Sequence, residues 1–241
     1  MVFFEKDISS IRKIFNDKFL DVSDKRYLKS RPSVFLFDLE KRDALLKILS
    51  KNFGFKFIEK KFLEVGCGTG DNLITLMGLS VPPEHISGVE LSFSINEAER
   101  RLPSCVDLRV GNFCELCLAE KFDVIMFYTV LSSVLNRDFR FELLRHAYSH
   151  LNENGILVVY DFVYDNPRNK NVRRVSLKEL GGFFPERKWF FSSYYFVPMV
   201  SKEFGSFSVC NKVFEQNETL VYSPNCVFKE VVKKIYGCTV F

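Results

Sequence analysis

One segment of the sequence combines glycines, carboxylates and an apolar run in the spacing of a ligand-binding loop. Residues 62–70 read Phe-Leu-Glu-Val-Gly-Cys-Gly-Thr-Gly, so an apolar strand leads directly into three glycines spaced two apart. Glycine adopts positive φ and lets the backbone approach a ligand with no Cβ in the way. The segment is therefore predicted to lie against a bound molecule, the alternative being a plain glycine turn between a strand and a helix.

The charges around this loop restrict which molecule can bind. Glu64 precedes the glycines and Asp71 follows them, so a pyrophosphate would be repelled, whereas a ligand with an ammonium or sulfonium group would be favoured. A second apolar run ends at Glu90, twenty residues after Gly70, where a carboxylate can accept hydrogen bonds from a ribose diol. The G-x-G-x-G spacing also differs from the G-x-G-x-x-G of dinucleotide folds, which disfavours NAD.

On these residues the sequence resembles the class I S-adenosylmethionine-dependent methyltransferases, over roughly positions 60–165. The resemblance implies that the backbone of residues 66–70 holds the amino-acid end of the cofactor and that Glu90 binds its ribose hydroxyls. Asn112 stands where the family often has an acidic residue that meets the adenine amino group, and its amide oxygen can accept the same bond. The cofactor-binding residues implied by the resemblance are Glu64, Gly66, Cys67, Gly68, Gly70, Asn72, Glu90, Leu91, Asn112, Phe113 and Tyr128.

Residues 159–169 and 180–185 further resemble bacterial methyltransferases associated with surface-polysaccharide or other small-molecule biosynthesis. This implies methyl transfer to a hydroxyl or amino group of a small polar acceptor, with a saccharide or nucleotide-sugar as the expected kind. Residues 128–130 read Tyr-Thr-Val, where methyltransferases of adenine or glutamine amino groups have an Asn-Pro-Pro-Tyr type of motif. Nucleic acid is therefore not the expected partner. From about Pro198 onward the sequence matches no pattern that we assign.

A proton acceptor is optional for this chemistry, because methyl transfer from a sulfonium depends mostly on proximity and orientation. For a hydroxyl acceptor, a group within hydrogen-bond reach should take the proton. Asp161 follows the fifth predicted strand, near the sheet edge where ligands bind in open α/β folds, and is the candidate base. The alternative is that it pairs with the following loop. The three histidines are expected on surface or capping positions.

Polar residues in two segments are candidates for binding the acceptor. The loop after the fifth predicted strand contains Asn166, Arg168 and Arg173, and guanidinium groups pair well with carboxylates and phosphates. Tyr27 lies in the N-terminal segment and is expected to close over the cofactor. For both segments the alternative is a solvated surface.

The elements that must position these residues follow an alternating pattern. Short apolar runs predict strands at 62–65, 86–90, 106–110, 122–128 and 156–162, and the stretches between them predict helices at 72–77, 94–101 and 140–151. This alternation predicts an α/β fold with a doubly wound, mostly parallel, seven-stranded Rossmann-like sheet. Outside it we expect helices at 5–20, 38–52 and 176–184, a strand at 189–197, and a last strand at 219–222 or 227–232.

The length of 241 residues and the hydrophobic content of 47% fit one methyltransferase domain over residues 1–241. Its expected parts are an N-terminal helical lead-in (1–55), a cofactor-binding core (56–165) and a substrate-side and C-terminal extension (166–241). The oligomeric state is left open. A non-catalytic methyltransferase-like scaffold or partner subunit is the alternative from a different functional class.

Composition excludes several other classes. A net charge of +4 is too small to indicate a nucleic-acid binder. The sequence contains no membrane-length apolar run and no signal-peptide pattern at its start, which predicts a cytoplasmic location. The seven cysteines are odd in number and scattered, and Cys114 and Cys117 have no second pair at zinc-binding spacing, so no metal site is predicted.

Overall fold

A computed structural model of the chain describes residues 4–20, 30, 32–165, 167, 169–185, 192–194 and 238–240. Its centre is a sheet of five parallel strands in the order β3-β2-β1-β4-β5. The strands are β1 (Phe62–Val65), β2 (Ile86–Glu90), β3 (Asp107–Val110), β4 (Phe122–Tyr128) and β5 (Leu151–Phe162). The strand order reverses at β1, and in open α/β sheets ligands bind in the crevice beyond the carboxyl ends of the strands at that point. The predicted Rossmann-like α/β fold is thus confirmed.

Two three-residue strands extend this sheet beside β5. They are β6 (Ser192–Tyr194) and β7 (Cys238–Val240); β7 pairs antiparallel with β5, and β6 pairs antiparallel with β7. Of the strand predicted at 189–197, the described part is 192–194. Both candidates for a last strand, 219–222 and 227–232, lie outside the described residues.

Helices cover both faces of the sheet. They are α1 (Glu5–Leu20), α2 (Pro32–Phe53), α3 (Asp71–Gly78), α4 (Ile95–Arg101), α5 (Arg137–Ser149) and α6 (Leu177–Phe183). The helix α2 begins six residues earlier than predicted, at Pro32, because proline is well accommodated in the first turn of a helix. The start of α5 was also wrong: Asn136 caps it by accepting hydrogen bonds from the amides of Asp138 and Phe139.

The helix predicted at 140–151 ends at Ser149, and residues 151–155, which precede the strand predicted at 156–162, already belong to β5. Leu151 pairs with Phe122, and the pairing of β4 with β5 then shifts register before resuming at Val124 and Ile156. Asn154 has a φ of 64° within this irregular stretch. A bulge of this kind lengthens one strand without disturbing the rest of the ladder, and the apolar periodicity of a short run does not reveal it.

The core consists of two apolar clusters, one on each face of the sheet. All four residues of β1 are buried, with Phe62 in the cluster that includes Leu45 and Leu49 of α2 and Leu63 in the cluster that includes Leu143 and Leu144 of α5. Successive residues of a strand point to opposite faces, so a strand buried on both faces is mostly apolar, and Glu64 is the exception in β1. The loops at the strand ends are therefore held on a rigid frame.

No helix in the described part of the chain is long and apolar enough to cross a membrane. Among the same residues, no group of three or more histidine, cysteine, aspartate or glutamate side chains is placed to hold a metal ion.

Candidate functional site

The three glycines of the loop between β1 and α3 all have positive φ: 75° at Gly66, 55° at Gly68 and 80° at Gly70. A Cβ on Gly66 would lie 2.5 Å from Val130 Cγ2, and one on Gly70 would lie 2.8 Å from Leu102 Cδ1. At Gly68, by contrast, no heavy atom of the described residues would come within 4 Å of a Cβ. Two glycines thus permit tight packing, while Gly68 borders open space in which a ligand fits.

The glycine loop is tied down from two directions. The amides of Gly66 and Cys67 both donate to the carbonyl of Val89 on β2, at 2.7 and 3.1 Å. From α4, the guanidinium of Arg101 donates to the Thr69 carbonyl at 2.7 Å and to Asp71 Oδ1 at 2.6 Å. The loop therefore keeps its shape before any ligand arrives.

Glu90, at the end of β2, is held by a set of hydrogen-bond donors. Its Oε1 accepts from the amides of Leu91 and Ser92 and from the Ser92 hydroxyl, each at 2.8 Å. Its Oε2 accepts from the amide of Gly68, also at 2.8 Å. An ionised carboxylate has about four acceptor positions spread over two oxygens, so Oε2 keeps capacity for a further donor. The arrangement fits a ribose hydroxyl beside the open space at Gly68.

These groups border a cavity of about 260 Å³ at the carboxyl ends of the strands. Seven of the residues that the sequence singled out line it, namely Gly66, Gly68, Glu90, Leu91, Asn112, Phe113 and Tyr128. The remaining lining residues come mainly from α1, from the segment after β4 and from α5.

Four residues of the predicted set lie behind the loop instead. Gly70 and Asn72 start α3, and the Cys67 side chain is buried against Gly88, where a Cβ would come within 2.9 Å of the sulfur. Burial raises the pKa of the Cys67 thiol well above its usual range, so it is a neutral packing group. These residues support the loop from below without facing the cavity.

Glu64 is the fourth of these, and its side chain is only 1% exposed. Its Oε1 accepts a hydrogen bond from the Asn72 amide, while its Oε2 has no partner among the described residues. Burial raises the pKa of Glu64 to about 8, although the bond from Asn72 and the nearby Lys41 oppose the shift. A buried carboxyl oxygen without a partner is costly, and a cationic group above the loop would stabilise its charged form.

The segment after β3 supplies the next part of the wall. Asn112 Oδ1 accepts from the Cys114 amide at 3.3 Å, which caps the turn Phe113–Glu115. The ring of Phe113 is buried and packs edge-on against His146 of α5 at 4.8 Å between centroids. Burial lowers the pKa of His146, so this ring is a neutral packing group behind Phe113.

The helix α1 closes the cavity from the side opposite the sheet, a role that the sequence analysis missed. Ile11, Arg12 and Phe15 line the cavity. The Asp7 carboxylate accepts from the Asn136 side chain at 3.3 Å near the start of α5, and Asn16 Oδ1 accepts from the Phe93 amide at 2.8 Å just before α4. The apolar stripe along residues 8–15 signalled a helix that needs a partner surface, but not which surface. Tyr27, predicted for this role, lies outside the described residues.

Thr129, directly after β4, also lines the cavity and was not predicted. Its φ of 56° is unusual for a β-branched residue, and its amide donates to the Tyr160 carbonyl of β5 at 2.7 Å. Next to it, the Tyr128 ring stacks on Tyr160 at 5.4 Å between centroids. Strained backbone of this kind is concentrated at functional sites, but sequence alone carries no signal for it.

Asp161, the predicted base, does not line the cavity. It is fully buried, at 0% exposure, and its two oxygens accept from the amides of Ser132 and Phe162, each at 2.9 Å. Burial raises the pKa of Asp161 to about 6, against the lowering effect of the bonds from Ser132. Its contacts join β5 to the turn Leu131–Ser133, which follows β4 and is a different loop from the one considered as its alternative partner.

Arg140 of α5 joins the cavity wall to the loop after β5. Its guanidinium is 1% exposed and donates to the carbonyls of Val134, Arg173 and Arg174 at 2.6, 2.9 and 3.0 Å. It also pairs with Glu179 of α6 at 3.2 Å. From the sequence, an arginine on an amphipathic helix is expected at the surface, so the burial of Arg140 was not predicted.

Of the predicted acceptor-binding residues, Arg173 is described by the structure and has an exposed side chain. Its amide donates to the Ser132 carbonyl at 2.8 Å, which places the loop beside the turn that contributes Ser133 to the cavity. Asn166 and Arg168 lie outside the described residues.

Comparison with solved structures supports the fold. The magnesium protoporphyrin IX methyltransferase of Synechocystis with bound S-adenosylmethionine aligns with a TM-score of 0.59 at 13% identity, over 97% of this chain and 95% of that one. The CcbJ methyltransferase of Streptomyces caelestis aligns with a TM-score of 0.42 at 26% identity, over 49% of this chain and 47% of that one. The match thus spans about half of the length of CcbJ.

An amino pentose methyltransferase of Micromonospora echinaspora, CalS10, aligns with a TM-score of 0.47 at 18% identity, over 66% of this chain and 87% of that one. No curated protein sequence matches the chain significantly. The sequence profile of a methyltransferase domain matches residues 37–198, which is more than half of the chain. The chain therefore belongs to the methyltransferase-domain family.

Proposed function

We propose that this protein transfers the methyl group of S-adenosylmethionine to a hydroxyl or amino group of a small polar acceptor, of the saccharide or nucleotide-sugar class. One observation carries the cofactor part of the proposal: the fixed Glu90 carboxylate and the open space at Gly68 border the same cavity. S-adenosylmethionine supplies an activated methyl group when bound. The residues of the chain bind the donor and acceptor, orient them and exclude water.

In this proposal, different predicted residues bind different parts of the cofactor. Gly66 and Gly68 offer backbone to its amino-acid end, and Glu90 Oε2 accepts from its ribose. Asn112 and Phe113 form the side of the cavity expected to take the adenine ring. The remaining walls are Leu91 and Tyr128, and the supporting residues beneath the loop are Glu64, Cys67, Gly70 and Asn72.

In this proposal, transfer depends on positioning. The cavity lining contains one carboxylate, Glu90, in the part of the chain that the structure describes, and its oxygens already accept four hydrogen bonds. Asp161 as a base stays a prediction, and its sealed position favours the task of holding the turn Leu131–Ser133. Alignment of donor and acceptor in a closed site can by itself remove much of the barrier.

The acceptor side of the proposal rests on the loop that follows β5. Arg140 fixes this loop through two of its carbonyls, at Arg173 and Arg174, which supports Arg173 as a residue that binds the acceptor. Asn166 and Arg168 stay predictions from the sequence. We also infer that residues 166–241 form the substrate-side part of a single domain and complete a seven-stranded sheet, as the sequence predicts.

The first test is calorimetric titration of the protein with S-adenosylmethionine and, separately, with NAD. We expect binding of S-adenosylmethionine alone. Glu90→Gln should weaken it by about tenfold or more, because a charge-assisted hydrogen bond contributes roughly 1.5–3 kcal/mol. Glu99→Gln, on the exposed side of α4, is the matched control and should bind normally. Binding of NAD alone would contradict the proposal.

The second test is turnover. The protein and S-adenosylmethionine are incubated with a panel of sugars, amino sugars and nucleotide-sugars, and release of S-adenosylhomocysteine is measured. Acceptor-dependent release supports the enzymatic proposal. Cofactor binding without release on any member of the panel would support the scaffold alternative.

A further inference from the structure

We infer that Arg12 on α1 forms an anion-binding subsite that recognises a carboxylate or phosphate group of the acceptor. The inference rests on the proposed function, because it requires that the cavity take the cofactor and an acceptor together. It adds a residue from the N-terminal helix to an acceptor site that the sequence placed in the loop after β5.

Arg12 lies at the edge of the cavity-facing side of α1, with an exposed side chain. Ile8 is four residues before it and Phe15 three residues after it, and positions three and four apart share one face of a helix. Ile8 and Ile11 pack against the apolar cluster that includes Leu143, and Ile11, Arg12 and Phe15 all line the cavity. Arg12 is exposed and also borders the cavity, so its cation stands at the solvent-facing rim of the site.

The charge of Arg12 has no partner within the protein as described. Its guanidinium makes no hydrogen bond or ion pair with the described residues, in contrast to that of Arg140, in which each of the three nitrogens has a partner. Within the described lining, Arg12 is the one basic side chain and Glu90 the one acidic side chain, and Glu90 is already held by its own donors. The cation is therefore available to a ligand.

The surroundings strengthen such an interaction. Most of the lining is apolar, including Val65, Val89, Val130 and Val134, and charges interact more strongly where water is displaced by apolar groups. The planar guanidinium matches the two oxygens of a carboxylate or phosphate. A neutral sugar makes no comparable use of a cation in this position.

The position of Arg12 favours the acceptor over the cofactor as the source of the anion. The groups assigned to the cofactor, Gly66, Gly68 and Glu90, are attached to the strand ends on the sheet side. Arg12 approaches from α1 on the opposite side, on a helix anchored through Asp7 and Asn16 at two separate rims. An acceptor between the helix and the cofactor would present its anionic group to Arg12.

The test uses the protein saturated with S-adenosylhomocysteine, titrated by calorimetry with sodium phosphate and separately with sodium acetate, with sodium chloride keeping the ionic strength constant. Wild type, Arg12→Gln and Lys13→Gln are compared. Lys13 is the exposed neighbour on the same helix and does not line the cavity, so its variant makes the same change of charge outside the site. Thermal melts establish that all three proteins are folded.

We expect wild type and Lys13→Gln to bind one of the two anions with equal affinity, and Arg12→Gln to bind it at least about tenfold more weakly, as for loss of a charge-assisted bond. Phosphate preference indicates a phosphorylated acceptor, and acetate preference indicates a carboxylated one. The affinity for S-adenosylhomocysteine should be the same in all three proteins.

Three results would overturn the inference. They are binding of neither anion to wild type, equal binding to wild type and Arg12→Gln, and weaker binding of S-adenosylhomocysteine to Arg12→Gln, which would assign Arg12 to the cofactor carboxylate. Failure of wild type to bind S-adenosylhomocysteine at all is a different outcome, since it contradicts the proposed function itself.

Discussion

At the scale of single residues, two properties favour glycine in the loop between β1 and α3. The backbone has positive φ, and at some positions a Cβ would collide with a neighbouring side chain. Gly66 and Gly70 have neighbours that a Cβ would strike, whereas Gly68 has an open side toward the cavity. Gly54 offers a comparison, because its φ is 59° and its Cβ position is also open with respect to the described residues, yet it does not line the cavity.

Comparing alanine variants of Gly68 and Gly54 distinguishes the cost of backbone strain from the loss of a ligand contact. Gly68→Ala and Gly54→Ala should each lose about 1–2 kcal/mol of unfolding free energy, the cost of a left-handed conformation for an L-residue. Only Gly68→Ala should also weaken S-adenosylmethionine binding, because its methyl group occupies the ligand space. Chemical denaturation and calorimetry measure the two effects. Equal cofactor affinity in both variants would remove Gly68 from the site.

Glu64 makes stability depend on pH. Its pKa is raised from about 4.5 to about 8 in the folded protein, so between these values the folded state keeps a proton that the unfolded state has lost. Stability from this group is present below about pH 4.5 and is lost as the pH rises toward 8.

The unfolding free energy of wild type relative to Glu64→Gln should therefore fall between pH 5 and pH 8, as measured by urea denaturation at a series of pH values. Glu84→Gln, at an exposed position, is the control and should show a constant difference from wild type. A constant difference for Glu64→Gln as well would mean that Glu64 ionises normally in the folded protein.

At the scale of elements, α1 connects two helix starts across the cavity. Its contacts reach Asn136 before α5 and Phe93 before α4, while Phe4 stacks on Phe139 at 4.8 Å between centroids. Among the described residues, few polar contacts hold this wall, so their removal should alter how long a ligand stays in the cavity more than it alters the fold.

Asn16→Ala removes the bond to the Phe93 amide and should speed dissociation of S-adenosylmethionine by about two- to tenfold, as for one ordinary hydrogen bond. Surface plasmon resonance measures the dissociation rate. Asp17→Ala, at the exposed neighbouring position, should dissociate like wild type. An unchanged rate for Asn16→Ala would mean that α1 does not retain the cofactor.

At the scale of the whole molecule, the two apolar clusters share the same strands, since alternate residues of β1 and β4 belong to opposite faces. Helices on one face therefore cannot separate from the sheet without exposing strands that the other face also needs. We therefore expect the predicted parts, residues 1–55, 56–165 and 166–241, to unfold as one cooperative unit.

Scanning calorimetry should accordingly show one unfolding transition. S-adenosylmethionine at a hundredfold excess over its dissociation constant should stabilise the folded state by about 2.7 kcal/mol and shift the whole transition upward. Two transitions, of which the cofactor shifts only one, would contradict a single domain over residues 1–241.

Several features of this protein were determined by the sequence itself. The strands β1, β2 and β4 have the predicted bounds because each is a short run rich in apolar residues between polar or glycine-containing segments. The positions of Gly68 and Glu90 beside one cavity follow from the same local pattern, since a parallel sheet brings the carboxyl ends of neighbouring strands together.

Only the tertiary structure determined that α1 forms the cavity wall opposite the sheet. It also determined the polar network of Arg140 and Asp161 on the acceptor side. The contact between Asp7 and Asn136 joins residues 129 positions apart, and the burial of Arg140 and Asp161 depends on carbonyl and amide groups in distant loops. Local periodicity reports which face of a helix is apolar and where a strand ends. It does not report which surface meets that face, because the meeting is set by the packing of the whole chain.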